Sequence, residues 1–156
     1  FLEGSFPVNR ESLEQYYEVS QPPDAFMFAI CLKEDDTYIG NARLSSVNWL
    51  HRRCTYGRLI GEADYRTRGY GSEALILLLR YGFHHLGMNR IFSSAYADNE
   101  ASLASNKKVG CRREGVMSQG AYKDGRFHDL VMLAILRSEF DELHGGPDRE
   151  AVEVRV

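Results

Sequence analysis

The chain has 156 residues, 44% of them hydrophobic and 26% charged, with a formal net charge of −3. That size and balance describe one globular domain with a real core, and so weak a negative charge excludes a protein that coats nucleic acid or anionic membrane by bulk attraction. Apolar stretches such as Ala74 to Leu79 are far too short to span a bilayer and the N-terminus carries no secretory pattern, so the expected compartment is the cytoplasm.

Asn9 to Val19 carries Leu13, Tyr16 and Tyr17 at helical spacing and runs into Gln21-Pro22-Pro23-Asp24, which predicts a short helix with a firm stop. A hairpin follows, with strands Ala25 to Leu32 and Tyr38 to Val47 joined across Glu34, Asp35 and Asp36. Cys54 to Gly61, rich in Tyr, Leu and Ile, predicts a third strand. After Gly71 the period changes: Leu75, Leu78, Leu79, Gly82, Phe83 and Leu86 fall on one helical face, which Gly87 ends. Arg90 to Ala97 predicts a strand, and Asn99 to Val109 a helix capped by Asn99 and closed by Gly110. A last hairpin, Arg113 to Tyr122 and Arg126 to Leu136, turns at Asp124-Gly125. Glu139 onward is acidic, contains Gly145-Gly146-Pro147, and is expected to be a frayed tail.

Charge is unevenly spread. Residues 1–50 carry net −5 and residues 138–156 net −4, whereas His51 to Arg90 carries net +4. A positive segment inside an acidic chain suits a small polyanion better than DNA, although the same arginines also read as a solvated surface. Cys31, Cys54 and Cys111 are widely spaced and form no C-x-x-C pair, which points to packing thiols rather than a disulfide framework or zinc cluster. His84 and His85 face different directions on the long helix and lack metal-ligand spacing, so both are expected at the surface or partly packed.

The segment richest in chemical signal joins the third strand to the long helix: Leu59-Ile60-Gly61-Glu62-Ala63-Asp64-Tyr65-Arg66-Thr67-Arg68-Gly69-Tyr70-Gly71-Ser72-Glu73-Ala74. Two glycines straddling one residue at a helix start let first-turn N–H groups, which have no intrahelical acceptor, approach phosphate oxygens. Arg66 and Arg68 add positive charge. No Gly-Lys dipeptide occurs, which excludes a P-loop. Gly69, Gly71 and Ala74 satisfy the dinucleotide pattern G-x-G-x-x-[GA], but Met88, Asn89 and Arg90 stand where that fold wants a ribose-binding acid.

Arg66-x-x-Gly69-x-Gly71 resembles the [QR]-x-x-G-x-[GA] acetyl-CoA loop of the GNAT superfamily of N-acetyltransferases. The fuller pattern resembles its Rim-type branch, which includes enzymes that acetylate ribosomal-protein N-termini. The resemblance runs from about Ala25 to Phe140, through Ile39-Gly40, the Tyr65 to Leu75 loop and helix, Asn89-Arg90-Ile91, Asn99-x-x-Ser102, Lys108-Val109-Gly110-Cys111-x-x-Glu114-Gly115 and Asp124-Gly125-Arg126-x-x-Asp129. It implies an α/β (α+β) fold with a mixed, mainly antiparallel sheet flanked by helices and splayed between the Cys54 and Arg90 strands. Residues 1–140 are then one acetyltransferase domain and 141–156 an acidic tail, with the family's usual first strand and helix expected to be missing ahead of Asn9.

The resemblance further implies that the backbone amides of Arg68, Gly69, Tyr70, Gly71 and Ser72 hold the acetyl-CoA pyrophosphate, with Arg66 beside them. The strand edge Leu59, Ile60 and Gly61 would pair with the pantetheine arm, and Asn99 would hydrogen-bond it. The implied partners are acetyl-CoA and an amine acceptor, with no metal and no nucleic acid, in a monomer or homodimer. Family chemistry is direct attack of a neutral amine on the thioester, which requires amine deprotonation, oxyanion stabilisation and protonation of the leaving thiolate. An α-amine near 7.7 is about one-sixth neutral at pH 7 and a lysine-like amine near 10.4 only about four parts in ten thousand, so the former manages with a weak base. Glu62 is the expected base, ahead of Asp64. Many family members place an acidic Tyr four residues before the glycine that closes the second helix. That position is Asn106, grouped with the cofactor-binding residues, which leaves Ser102, Ser105 or water as proton source, Ser102 being favoured by the Asn-x-x-Ser pattern. His128, Tyr96 and Trp49 are candidates for the acceptor cleft. The expected reaction moves an acetyl group to a primary amine, foremost a protein or peptide N-terminal α-amine; a small-molecule amine (polyamine, amino sugar or antibiotic) or a non-catalytic CoA-binding role are the alternatives.

Overall fold

The computed structural model describes residues 10–19 and 22–147. Asn9 of the first expected helix, and the expected tail from residue 148, lie outside the described residues. In chain order the elements are α1 (Arg10–Val19), β1 (Phe26–Cys31), β2 (Tyr38–Asn48), β3 (Arg53–Ile60), α2 (Tyr70–Arg80), β4 (Arg90–Tyr96), α3 (Glu100–Val109), β5 (Arg112–Lys123), β6 (Arg126–Leu136) and α4 (Arg137–His144). The strands form one six-stranded sheet in the order β1-β2-β3-β4-β6-β5, antiparallel at every junction except β3–β4. Local turn chemistry sets the hairpins. The Thr37 amide donates to Asp35 Oδ1 at 3.0 Å and the His51 amide to Asn48 Oδ1 at 2.8 Å, while Asp124 and Gly125 both take the positive φ that a tight hairpin turn needs.

The functional geometry comes from the one parallel junction. β3 and β4 pair only at Arg53–Arg90, Cys54–Ile91 and Thr55–Phe92. Beyond that point β3 stays with β2 as far as Ile60–Gly40, and β4 stays with β6 as far as Tyr96–Leu130. Each strand follows its other neighbour, so the sheet opens as a wedge between residues 56–60 and 93–96, between the two strands where the resemblance implies the splay.

α2 covers one face of the sheet. Leu75, Leu78 and Leu79, followed by Phe83, are buried against Leu44, Cys54, Ile91 and Ile135, each large side chain contributing roughly 1.5–3 kcal/mol of burial. The predicted helix through Leu86 changes in its last turn. Tyr81–His85 is a π turn, in which the Leu86 amide reaches Tyr81 O at 3.2 Å. Gly82 lies so close to the sheet that a Cβ would stand 2.5 Å from Ile91 Cδ1 and 3.1 Å from Leu44 Cδ1; the wider turn lets Gly82 and Phe83 both pack there.

Residues 139–144, expected as the start of a frayed tail, instead belong to α4. Phe140 is fully buried with its ring 5.3 Å from Phe83, and Glu139 Oε2 accepts the Leu136 amide at 2.8 Å. One aromatic anchor and one capping carboxylate outweigh the acidic composition. His84 packs beneath this helix with its side chain only 5% exposed, Nε2 3.1 Å from Asp141 Oδ1. His85 is exposed.

Candidate active site

Beyond β3, Glu62 precedes a single 3₁₀ turn, Ala63–Tyr65, and the chain enters α2 through residues 66–69. Gly69 has φ +96°, a left-handed conformation that side chains rarely adopt, and a Cβ there would meet nothing within 4 Å, so the loop is open to a ligand on that side. Gly69 O accepts the amides of Ser72 at 2.9 Å and Glu73 at 3.1 Å. The Ser72 amide, one of the five proposed to meet pyrophosphate, therefore closes the helical turn, and the amides of Tyr70 and Gly71 are the first-turn donors without an intrahelical acceptor. Arg66 folds back, donating through Nε to Ile60 O at 3.1 Å and through Nη2 to Gly61 O, which pins the loop to the strand end. Arg68 is exposed. A helix N-terminus, a glycine lacking a side chain and adjacent arginines together fit a pyrophosphate.

The strand edge is resolved more finely. Gly61 donates its amide to Ile39 O at 2.9 Å, and Leu59 O lies against Gly40, where a Cβ would be only 2.0 Å from it. Backbone polarity alternates along an antiparallel strand. Leu59 and Gly61 are thus turned to β2, while Arg58 and Ile60 present their amides to the wedge.

On the helix-covered face, alternate residues of β3 meet α2 and α3 in a buried polar network. Tyr56 Oη donates to Asn106 Oδ1 at 2.8 Å and lies 3.6 Å from Cys111 Sγ. Arg58 Nη1 donates to the same Asn106 Oδ1 at 3.3 Å and Nη2 to Ser105 Oγ at 2.8 Å. Ser105 Oγ is in turn 2.7 Å from Ser72 Oγ in the first turn of α2. Asn106, only 3% exposed, donates its Nδ2 to Ser102 O at 2.9 Å and Ser102 Oγ at 3.3 Å. Because Ser102 Oγ accepts from Asn106, its own proton is free for another acceptor. Asn99 caps α3 by accepting the Ser102 amide at 3.1 Å, which leaves its Nδ2 outside the cap.

Burial sets the ionisation of this region. It pushes the Tyr56 phenol up, assisted by Cys111, and pushes the Cys54 thiol up to about 12; Cys111 is raised for the same reason. Both thiols are therefore neutral packing groups. Burial also draws the Arg58 pKa down, with Tyr56 and Cys111 opposing, yet an arginine stays charged at neutral pH. Tyr56 and Arg58 are the site residues that sequence reasoning missed. Their signal was a phenol and a cation in phase with buried Cys54, on the inward side of a half-covered strand.

Glu62 is exposed, and its side chain makes no cap hydrogen bond; Asp64 is exposed as well. Across the wedge, Tyr96 ends β4 with the His128 ring edge-on at 5.3 Å. His128 Nδ1 lies 3.5 Å from Asp98 Oδ2, and Nε2 3.3 Å from Lys123 O. Ala97, Asp98, Gln119, Phe127, His128 and Asp129 line an open cleft there. Trp49 is not brought to the wedge: it sits in the β2–β3 turn, beyond the end where β3 and β4 pair. Among the described residues no group of three or more His, Cys, Asp or Glu is arranged to hold a metal.

A sequence family described as the acetyltransferase (GNAT) domain matches residues 2–112. The Uncharacterized N-acetyltransferase YnaD of Bacillus subtilis is 29% identical over 140 residues, spanning 89% of this chain and 79% of that protein. YdaF of the same organism, described as a candidate ribosomal N-acetyltransferase, is 29% identical over 142 residues, 87% and 77% of the two chains. Spermidine N(1)-acetyltransferase of Escherichia coli is 23% identical over 113 residues, 72% and 60%. The crystal structure of spermidine N-acetyltransferase from Vibrio cholerae, in complex with CoA and spermine, shares the fold at a TM-score of 0.79 and 20% identity, covering 86% of this chain and 79% of that one. No helix among the described residues is long and apolar enough to cross a membrane. With a wedge opened beside a glycine-bearing helix start and a family match over most of its length, the chain belongs to the GNAT acetyltransferases and is an acetyl-CoA-dependent N-acetyltransferase.

Proposed function

We propose that the acceptor is the N-terminal α-amine of a protein or peptide. The observation that supports this reading is the solvation of the acids around the open end of the wedge: Glu62, Asp64, Asp98 and Asp129 are all exposed, and no described carboxylate belongs to the buried set. A water-exposed carboxylate is a weak base. Deprotonating an α-amine at pH 7 costs about 1 kcal/mol, whereas a lysine-like amine costs about 4–5 kcal/mol, which calls for a desolvated base.

In this reading the pyrophosphate rests on the amides of Tyr70 and Gly71, flanked by Arg66 and Arg68, and the pantetheine arm runs along the wedge edge of β3 with Asn99 Nδ2 as a further donor. The wedge-facing amides of Arg58 and Ile60 meet the arm and the thioester oxygen. Glu62, directly or through water, takes the amine proton; nitrogen attacks the acetyl carbon, the C–S bond breaks, and the electron pair leaves on sulfur. Ser102 turns its free O–H to that sulfur. Three free cysteines suit a reducing compartment, in keeping with a cytoplasmic enzyme.

A polyamine acceptor is the second reading, favoured by the two carboxylates, Asp98 and Asp129, in the cleft at the end of β4. Initial rates of CoA release at pH 7 separate the two. A peptide with a free N-terminus is expected to show kcat/KM at least tenfold above spermidine and above an Nα-blocked lysine peptide. Preference for either of the latter would overturn the α-amine assignment.

A further inference from the structure

We propose that Arg58, a cation on β3 held against α3, stabilises the negative charge on the leaving sulfur. The proposal rests on the acetyl-CoA reading of the wedge and is independent of which amine accepts the acetyl group.

Arg58 is the third residue beyond Thr55, where β3 loses its pairing to β4. Its guanidinium is half-buried, and its hydrogen bonds go to neutral atoms, Asn106 Oδ1 and Ser105 Oγ. No carboxylate among the described residues forms an ion pair with it. It also lies against the first turn of α2, where a Cβ on Gly71 would stand 3.6 Å from Arg58 Nε. A half-buried cation held by neutral acceptors beside the positive end of a helix is electrostatically uncompensated until an anion arrives.

Acetyl-CoA brings two kinds of anion, the phosphates at the start and the sulfur during the reaction. The phosphates fit the open side of the Gly69 loop. Arg58 is instead drawn to the middle of α3, to Asn106, the residue that holds Ser102 Oγ. Two of its five N–H donors are committed, which leaves the others for sulfur. The balance of the step is simple. The C–S bonding pair departs on sulfur, Arg58 stays protonated throughout, the amine proton leaves through Glu62 or water, and the thiolate afterwards takes a proton from solvent through the Ser102 hydroxyl. A fixed cation lowers the energy of the thiolate without giving up a proton to it.

The decisive measurement is the thiol titration of CoA bound to the enzyme, followed by thiolate ultraviolet absorbance, with the desulfo-CoA complex as blank to cancel the protein's own cysteines. In the wild type the bound thiol is expected to ionise at tenfold higher proton concentration than free CoA, or more. Arg58→Lys should retain most of that shift and Arg58→Met should abolish it. In single turnovers, Arg58→Met should lower the rate about 10- to 100-fold with acetyl-CoA and equally with acetyl-pantetheine, which has no phosphates. A bound thiol in the wild type that titrates with or above free CoA would overturn the proposal. So would a rate loss confined to acetyl-CoA, because that pattern assigns Arg58 to the phosphates. If Arg58→Met does not fold, the wild-type and Arg58→Lys titrations still decide, and no acceptor is present in either to confuse the result with the α-amine assignment.

Discussion

The Tyr56 hydroxyl donates to Asn106 Oδ1 at 2.8 Å, joining β3 to α3 just where β3 has parted from β4. A strand that gives up a ladder on one edge needs another restraint, and this bond, with the two from Arg58, supplies one from the helical layer. The wedge is thus held open by side chains rather than by backbone pairing.

Removing the shared acceptor tests that account. Asn106→Leu leaves a buried phenol and a half-buried guanidinium each short of a partner, and an unsatisfied buried donor costs about 1–3 kcal/mol. Urea denaturation is expected to show a loss in this range or above. Tyr56→Phe removes donor and bond together and should cost only about 1 kcal/mol. Equal effects from the two substitutions would mean that Asn106 is not the junction.

The glycines of the loop separate folding from binding. A Cβ at Gly71 would make ordinary contacts, 3.6 Å to Arg58 Nε and 3.9 Å to Ile60 Cγ1, and this glycine has no positive φ. Gly71→Ala should therefore fold as well as the wild type, while Gly71→Val, whose branches reach further toward the wedge, should weaken acetyl-CoA binding tenfold or more by calorimetry. Gly69→Ala acts in the opposite way. No atom stands within 4 Å of its Cβ, but φ +96° strains the backbone by roughly 1–2 kcal/mol, so melting temperature falls more than affinity does.

Glu62→Gln removes the proposed base without changing shape. General-base catalysis is typically worth 10²–10⁴-fold, and an exposed carboxylate belongs at the low end. Turnover should drop about 100-fold at pH 6.5 and less at pH 8.5, where more of the amine is already neutral, with acetyl-CoA affinity unchanged. Unaltered turnover at both pH values would transfer the role to water or to Asp64.

The elements that sequence reasoning placed well are those whose signal is local. Alternation in β2, the i, i+3, i+4 run of α2, the Asn99 cap and the Asp124-Gly125 turn all report their own backbone, and the structure forms each of them. What it did not reveal depends on contacts distant in sequence. α4 has Phe140 as its buried side chain, and only the presence of Phe83 beneath it turns an acidic tail into a helix. The π turn at residues 81–85 is invisible to helical periodicity, because the requirement comes from Ile91 and Leu44 pressing on Gly82. Arg58 looks ordinary alone, and Asn106 is marked only by its spacing from Gly110. Their meaning appears when β3 and α3 are 48 residues apart in sequence and one hydrogen bond apart in space.

The seat of α4 responds to pH. His84 is nearly covered, and burial lowers its pKa; Asp141 opposes that, while Arg137, Arg80 and His85 reinforce it. Neither imidazole nitrogen has a hydrogen-bond partner among the described residues, although Nε2 is 3.1 Å from Asp141 Oδ1. The folded state therefore binds a proton less readily than the unfolded chain, whose histidine titrates near 6.5. Stability from this group is complete above that value and declines as pH falls through it, by at most about 1.4 kcal/mol per pH unit, until the folded His84 also protonates. Urea midpoints at pH 7.5, 6.5 and 5.5 should fall more steeply for the wild type than for His84→Gln, which cannot titrate. Asp141→Asn removes the opposing charge and should extend the decline to lower pH. Parallel pH profiles for the wild type and His84→Gln would show that another group governs the acid side.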